Sequence, residues 1–202
     1  MAKIKLTKTE LKTQQDALKQ YRRYLPTLQI KKQQLQQEIR LSRERLEENL
    51  REREKLVENL SGWIALFGDE AMLQTLCDGI RLERIRRGRM NIAGIMVPTF
   101  EGADFRMPEL DPALTPWYAD DAAEALKQAV ALRVAGRIIM EQEKMLSDEL
   151  RSTSQKVNLF EKVKIPECRE NIRQIRIYIT DQETAAVARS KIAKKKTVEA
   201  AS

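Results

Sequence analysis

The chain has 202 residues, of which 33% are charged and only 5% are aromatic, and its formal net charge is +7. It contains 7 glycines, 6 prolines and no histidine. Few glycines, prolines and aromatics are typical of long helices with thin cores. The absence of histidine removes the commonest general base and metal ligand, which argues against catalysis and metal binding.

Residues 4–60 carry a seven-residue apolar repeat with no loop inside it. When Ile4 is placed at heptad position a, every a position up to Leu60 is apolar except Lys32 and Arg53. Such a repeat predicts a helix that buries a narrow stripe against a partner helix. A helix of this length would span roughly 85 Å, about twice the diameter of a compact chain of this size. We therefore expect an elongated molecule.

Pro26 lies inside this repeat. Proline usually kinks or stops a helix, because it removes a backbone hydrogen bond and clashes with the preceding turn. Leu25 and Leu28 nevertheless keep the a and d phase of the residues on either side. The sequence therefore predicts a helix that is kinked at Pro26 and continues through it.

Residues 61–115 have a different composition and form the predicted central insert. We predict a short helix over 69–83, followed by a β-rich run over 91–100 with the sequence NIAGIMVPTF. Glu101 and Gly102 then suggest the turn of a short, irregular hairpin that returns over 103–107. Prolines 108, 112 and 116 mark the loop that follows.

The hairpin is the candidate docking surface for a partner. A lone hairpin is marginal in water, so it is expected to be too small to bury its own apolar side chains. We predict that a partner covers them and that the hairpin is separable from the coiled coil. The candidate partner-binding residues are Ile92, Ile95, Val97, Pro98 and Phe100.

Residues 116–196 are predicted to form a second long helix. Its start is expected at Thr115 as N-cap with Pro116 in the first turn. Its apolar stripe runs through Ala129, Leu146 and Val157, and past Pro166 it resumes one residue out of phase, at Cys168 and Ile172. The stripes of the two long helices favour antiparallel packing. Residues 197–202 are predicted to be a disordered tail.

The fold class predicted by these patterns is dominated by α-helix. It consists of a long antiparallel two-helix coiled coil, formed by residues 1–60 and 116–196, and an insert over 61–115 that contains short helices and a β-hairpin.

Several runs resemble the D subunit of the V-type rotary ATPases. The run KVNLFEKVKIP, residues 156–166, is similar to the C-terminal signature of that family, and the hairpin run AGIMVPTF, residues 93–100, is similar to its central segment. The opening KIKLTKTEL and the basic tail over 191–196 also resemble the family. The residues that carry the C-terminal motif are Val157, Asn158, Glu161, Ile165 and Pro166.

This resemblance implies a central rotor shaft that couples ATP hydrolysis or synthesis to proton or sodium transport. It implies that the paired terminal helices enter the hexamer of catalytic and regulatory subunits. It also implies that the insert and lower coil contact the F subunit and the membrane-side subunit above the proteolipid ring. A shaft of this kind needs no active site and no cofactor, and it would lie on the cytoplasmic side of the membrane as part of the complex.

The residues themselves support neither an enzyme nor a membrane span. The spacing of Gly62 and Gly68 does not match a phosphate-binding loop, and no apolar run is long enough to cross a bilayer. Cys77 and Cys168 have no zinc-site spacing and are interpreted as reduced thiols.

The alternative function is an antiparallel coiled-coil binding module, such as a prefoldin-like chaperone or an RNA-gripping arm. Basic residues concentrated on one face with exposed aromatics would favour the RNA-gripping arm. In this sequence Trp63, Phe100, Phe105 and Trp117 are expected around the insert, which is more typical of a protein docking surface.

Overall fold

A computed structural model describes residues 4–64, 79–107 and 118–200 of the chain. Helix α1 covers Lys8–Ile64, strand β1 Arg81–Ile92, strand β2 Ile95–Arg106 and helix α2 Ala119–Leu159. A π-helical turn, Phe160–Lys164, leads into helix α3, Ile165–Ala200. The predicted fold class, long N- and C-terminal helices with a β-hairpin between them, is confirmed.

The heptad repeat of α1 corresponds closely to its buried stripe. The helix is N-capped by Thr7, whose hydroxyl accepts a hydrogen bond from the backbone N–H of Glu10 at 3.2 Å. It continues through Pro26, as predicted. Between Ile4 and Leu60, every a and d position except Thr7 and Arg53 is buried or half-buried. The buried residues in this range all occupy these positions; they are Leu35, Ile39, Ser42 and Asn49.

The chain divides into two compact units, residues 1–32 with 152–202 and residues 33–151. We call them the terminal unit and the central unit. In the terminal unit, Lys8 pairs with Glu183 at 2.9 Å, and Asn171 donates to Gln14 at 3.3 Å. Residue numbers rise along α1 as they fall along α3, so the helices of this unit are antiparallel. The same order holds in the central unit, where Arg43 pairs with Glu143 at 2.7 Å and Asn49 donates to the Leu132 carbonyl at 3.1 Å.

Strands β1 and β2 form a two-stranded antiparallel sheet. The turn lies at Ala93 and Gly94, which have φ values of 50° and 85°. Two successive positive φ values are typical of a type I′ turn, which matches the twist of a hairpin. The side-chain oxygen of Asn91 accepts a hydrogen bond from the Gly94 N–H at 2.9 Å and closes the turn.

The predicted position of the turn, at Glu101 and Gly102, is therefore wrong. The first strand is the arginine-rich run over 81–92, part of which the sequence pattern predicts to be helical. The predicted helix over 69–83 falls mostly outside the described residues, but 81–83 belong to β1. Gly102 instead lies beside an irregularity of the sheet between Arg86 and Arg87, where its φ of 149° suits a glycine.

The hairpin packs on the central unit and shares its core. Ile92 and Val97 form one buried cluster with Leu35 and Ile39 of α1 and Leu146 of α2. The expectation that the hairpin is separable from the coiled coil is therefore wrong. A small sheet can bury its apolar face against helices as well as against a partner protein.

The π-helical turn explains the phase shift in the C-terminal stripe. Val157 is buried before the turn, and Ile165, Cys168, Ile172 and Ile175 are buried after it. The N–H of Ile165 donates to the Phe160 carbonyl, five residues back, so one extra residue is accommodated. Pro166 follows and has no N–H to donate. The extra residue keeps both parts of the stripe on the same side of the helix.

The remaining predictions for the second long helix concern its ends. Helix α3 extends to Ala200, so the predicted disordered tail, 197–202, begins inside a helix. The predicted start at Thr115 and Pro116 lies outside the described residues. The domain boundaries that we predicted stay predictions.

Candidate functional site

The predicted docking residues of the hairpin differ in how accessible they are. Val97 is fully buried and Ile92 nearly so, both in the core of the central unit. Ile95, Pro98 and Phe100 are half-buried. All five residues lie on the hairpin, but Ile92 and Val97 are buried in the core shared with the coiled coil and have little surface left for a partner.

Other hairpin side chains are exposed and are absent from the residues predicted for docking. Met96 is 53% exposed, Met90 40% and Leu82 38%. The apolar residues of strand β1 were the sequence signal that could have identified Leu82 and Met90 as docking residues. Part of this strand, however, has a helical pattern in the sequence. Methionine is common at protein-binding surfaces because its flexible thioether adapts to the partner.

Polar contacts fix the hairpin on helix α2. The Gln142 side-chain amide donates a hydrogen bond to the carbonyl of Pro98. Arg87 reaches Glu141 at 3.5 Å. Within the sheet, Arg86 pairs with Asp104 at 3.3 Å. Gln142 is itself buried, so its bond to the Pro98 carbonyl satisfies a polar group that would otherwise be costly to bury.

A buried asparagine allows helices α1 and α2 to approach closely. Asn49 donates from Nδ2 to the carbonyl of Leu132 at 3.1 Å, whereas its Oδ1 has no hydrogen-bond partner. A Cβ added at Gly136 would lie 2.7 Å from that oxygen, well inside van der Waals contact. Gly136 is therefore the residue that makes room for Asn49.

The C-terminal motif lies around the π-helical turn. Val157 and Ile165 are buried, whereas Asn158, Glu161 and Pro166 are exposed. The ring of Phe160, inside the motif, packs on Tyr21 of α1 with centroids 5.0 Å apart and planes tilted by 46°. The motif therefore combines residues that hold the seam with exposed residues next to an unusual helical turn.

Two titrating groups of α3 follow the motif. Burial raises the pKa of the Cys168 thiol, the direction expected of a structural rather than a reactive cysteine. Hydrogen bonds from Arg173 and Gln174 lower the pKa of the exposed Glu170 to about 2. Arg173 lies 2.7 Å from that carboxylate.

Within the described parts of the chain, no group of histidine, cysteine, aspartate or glutamate side chains could hold a metal ion. None of the helices in those parts is both long enough and apolar enough to cross a membrane.

The architecture defines the class of the protein: antiparallel α-helical pairs with a β-hairpin docked on the central unit. The sequence model of the family described as the D subunit of ATP synthase matches residues 10–195. This chain therefore belongs to the ATP synthase D-subunit family.

Curated relatives align with this chain along almost its whole length. The D subunit of the V-type ATP synthase of Borreliella burgdorferi is 45% identical over 96% of this chain and 95% of its own. The corresponding protein of Chlamydia abortus is 29% identical over 96% of this chain and 94% of its own. That of Chlamydia pneumoniae is 30% identical over 96% of this chain and 92% of its own.

Proposed function

We propose that this chain is the central-stalk rotor protein of a V-type rotary ATPase or ATP synthase. In this role it couples ATP hydrolysis or synthesis in the catalytic head to proton or sodium movement through the membrane ring. The observation that carries the proposal is the family match over residues 10–195. The matched relatives lend no support to the chaperone or RNA-gripping alternative.

The physical requirement of a rotor is resistance to twisting and bending. Apolar stripes hold the paired helices together in each unit, and each buried aliphatic side chain contributes roughly 1.5 to 3 kcal/mol. Antiparallel ion pairs, such as Arg43 with Glu143, fix the register. The proposed role is non-catalytic, on the cytoplasmic side and peripheral to the membrane, with the terminal unit contacting the head.

Purification of the tagged chain from membranes tests this assignment. Mass spectrometry should identify the catalytic and regulatory head subunits in a stable complex. When the head and the membrane sector are reconstituted without this chain, ATP hydrolysis should not drive ion transport. Recovery of RNA or unfolded clients in place of the head subunits would contradict the assignment.

We propose that the hairpin is a docking surface for two partners, the F subunit and the membrane-side subunit above the ring. Its exposed Met90 and Met96 supply apolar contact area, while Ile92 and Val97 hold the hairpin in position. Half-buried Ile95, Pro98 and Phe100 complete the proposed surface.

A paired substitution separates docking from folding. Met90→Ser with Met96→Ser should weaken binding of the purified F subunit while leaving helicity unchanged, because both side chains are exposed. The matched control is Val187→Ser with Ile192→Ser, two exposed apolar residues of α3. Equal binding by the two variants would move the binding site of the F subunit away from the hairpin.

A further inference from the structure

One flank of the terminal unit carries a concentration of positive charge. A groove of about 360 Å³ runs between α1 and α3, and its lining includes Lys19, Arg22, Arg169 and Arg176. Leu18 and Ile172 also line this groove, which includes no acidic residue. We call this feature the cationic groove.

The heptad positions show why this charge is unusual. In an antiparallel coiled coil the residues at position e of the two helices flank the seam opposite one another, and charges there normally form opposite pairs. Lys8 and Glu183 hold these positions and form such a pair at 2.9 Å. One heptad further along α1 from Lys8, the corresponding residues are Gln15 and Arg176. Two heptads further along α1, they are Arg22 and Arg169. Opposite charge therefore gives way to like charge along the same flank.

The groove has no internal counter-charge. Among the described residues, none of its four cations takes part in an ion pair or a hydrogen bond. The acids nearest in sequence on α3 are already engaged, Glu167 with Lys164 and Glu170 with Arg173. Like charges facing one another across a seam destabilise it, so this arrangement reduces the stability of the free protein.

Over the same three heptads, the opposite flank of this unit has no such cluster of cations: its position g residues are Glu10, Ala17 and Tyr24 on α1 and Asn171, Tyr178 and Ala185 on α3. One heptad further along α1, Lys31 and Lys164 hold position g, and Lys164 is paired with Glu167 at 3.0 Å. A charge spread evenly for solubility would appear on both flanks. A cluster of four cations, unpaired within the described residues and beside the apolar side chains of Leu18 and Ile172, instead fits recognition of a complementary surface.

We propose that the cationic groove binds an acidic protein segment of the catalytic head. This inference rests on the proposed function, in which the terminal unit contacts the head. Aspartate and glutamate side chains of that segment pair with the guanidinium and ammonium groups, and its aliphatic portions cover Leu18 and Ile172. Because the four cations of the groove lie together on one flank, the contact forms at one angular position of the chain relative to each head subunit.

The test compares two full-length variants with equal changes in charge. The groove variant carries Lys19→Gln, Arg22→Gln, Arg169→Gln and Arg176→Gln. The control variant carries the same number of neutralised exposed cations in the same unit, outside the groove: Lys12→Gln, Arg23→Gln, Lys156→Gln and Lys162→Gln. The probe is a catalytic head purified without this chain, and binding is measured at low and at physiological salt.

Two opposed results are expected of the groove variant. Its affinity for the head should fall by about tenfold or more relative to the control, with a weaker dependence on salt, because several charge pairs are lost together. The free variant should melt at a higher temperature than the control, because the repulsion between Arg22 and Arg169 is gone. A purely structural role would not move affinity and stability in opposite directions. The double variant Arg22→Gln with Arg169→Gln should show both changes to a smaller extent, and circular dichroism verifies that each variant is folded.

Other outcomes overturn the proposal and identify which part failed. If the wild-type chain does not bind the head, the proposed function fails and this inference with it. If the wild type binds and the two variants bind equally, only the groove assignment fails. If labelled single-stranded RNA binds the wild type and loses affinity in the groove variant alone, the groove recognises nucleic acid instead.

Discussion

The terminal and central units use the same seven-residue repeat but bury it to different depths. In the central unit Leu35, Ile138, Leu146 and Val97 are completely or almost completely buried. In the terminal unit the α1 residues from 4 to 32 are at most half-buried, and full burial is confined to the C-terminal helix. Around Leu35 and Leu146 the hairpin adds a third layer over the central seam. Two helices alone leave both flanks of the seam open to water.

The comparison predicts that the hairpin contributes strongly to the stability of the central unit. Val97→Asp places an unpaired charge in the shared core and should destabilise the protein by roughly 3 to 5 kcal/mol. Met96→Asp, one residue earlier and exposed, should change stability by less than about 0.5 kcal/mol. Urea denaturation followed by circular dichroism measures both. Similar losses in the two variants would mean that the hairpin does not pack as described.

Truncating one seam leucine in each unit measures the difference in depth. Leu35→Ala should cost about 3 kcal/mol, since the site is fully enclosed and leaves a cavity. Leu18→Ala should cost only about 1 to 1.5 kcal/mol, because its half-buried side chain removes less apolar area from water. Chemical denaturation of the two variants provides the measurement. Equal losses of stability would show that the two seams are equally deep.

At Gly136 the usual effect of a glycine-to-alanine substitution on stability should be reversed. Glycine to alanine inside a helix normally stabilises by about 1 kcal/mol. At Gly136 the new Cβ would meet the Asn49 oxygen, so Gly136→Ala should destabilise by about 1 to 2 kcal/mol. In an Asn49→Ala background the same change should become stabilising. A double-mutant cycle measures this coupling, and additive effects would contradict the close approach.

The smallest expected effect concerns the π-helical turn of the terminal unit. Deleting Lys162 should convert the turn to regular α-helix, keep the stripe in phase and change stability by less than about 1 kcal/mol. Deleting Arg169 rotates the following residues by about 100°, so Ile172 and Ile175 leave the seam and stability falls by several kcal/mol. Thermal melts of the two deletions, compared with wild type, check the difference. A severe loss for the Lys162 deletion would show that the extra residue is required.

The parts of the fold that the sequence predicts well are those that depend on helical period alone. The stripe of α1 follows the heptad from Ile4 to Leu60, and the one-residue shift near Pro166 is visible as a change of phase. The π-helix itself does not follow from the sequence, because a phase shift can also arise from a kink or a break.

The hairpin is harder to predict, because its position depends on tertiary contacts. Strand β1 is rich in arginine and carries little strand propensity, so the apolar run 91–100 resembles a first strand although it contains the turn and part of the second strand. The sequence alone does not show that α1 and α2 cover Ile92 and Val97, so its pattern predicts a partner that covers them. Composition identifies the candidate docking residues, but their accessibility depends on packing. The cationic groove likewise requires both helices in register before its charges come together.

Single-molecule rotation tests the central claim most directly. The assembled complex is immobilised through its catalytic head, and a bead or gold particle is attached to a cysteine introduced at Val57, an exposed residue of α1 in the central unit. On addition of ATP, we expect continuous rotation of this chain in one direction, at a rate proportional to ATP turnover. A chain that stays fixed relative to the head while ATP is hydrolysed would contradict its assignment as the rotor.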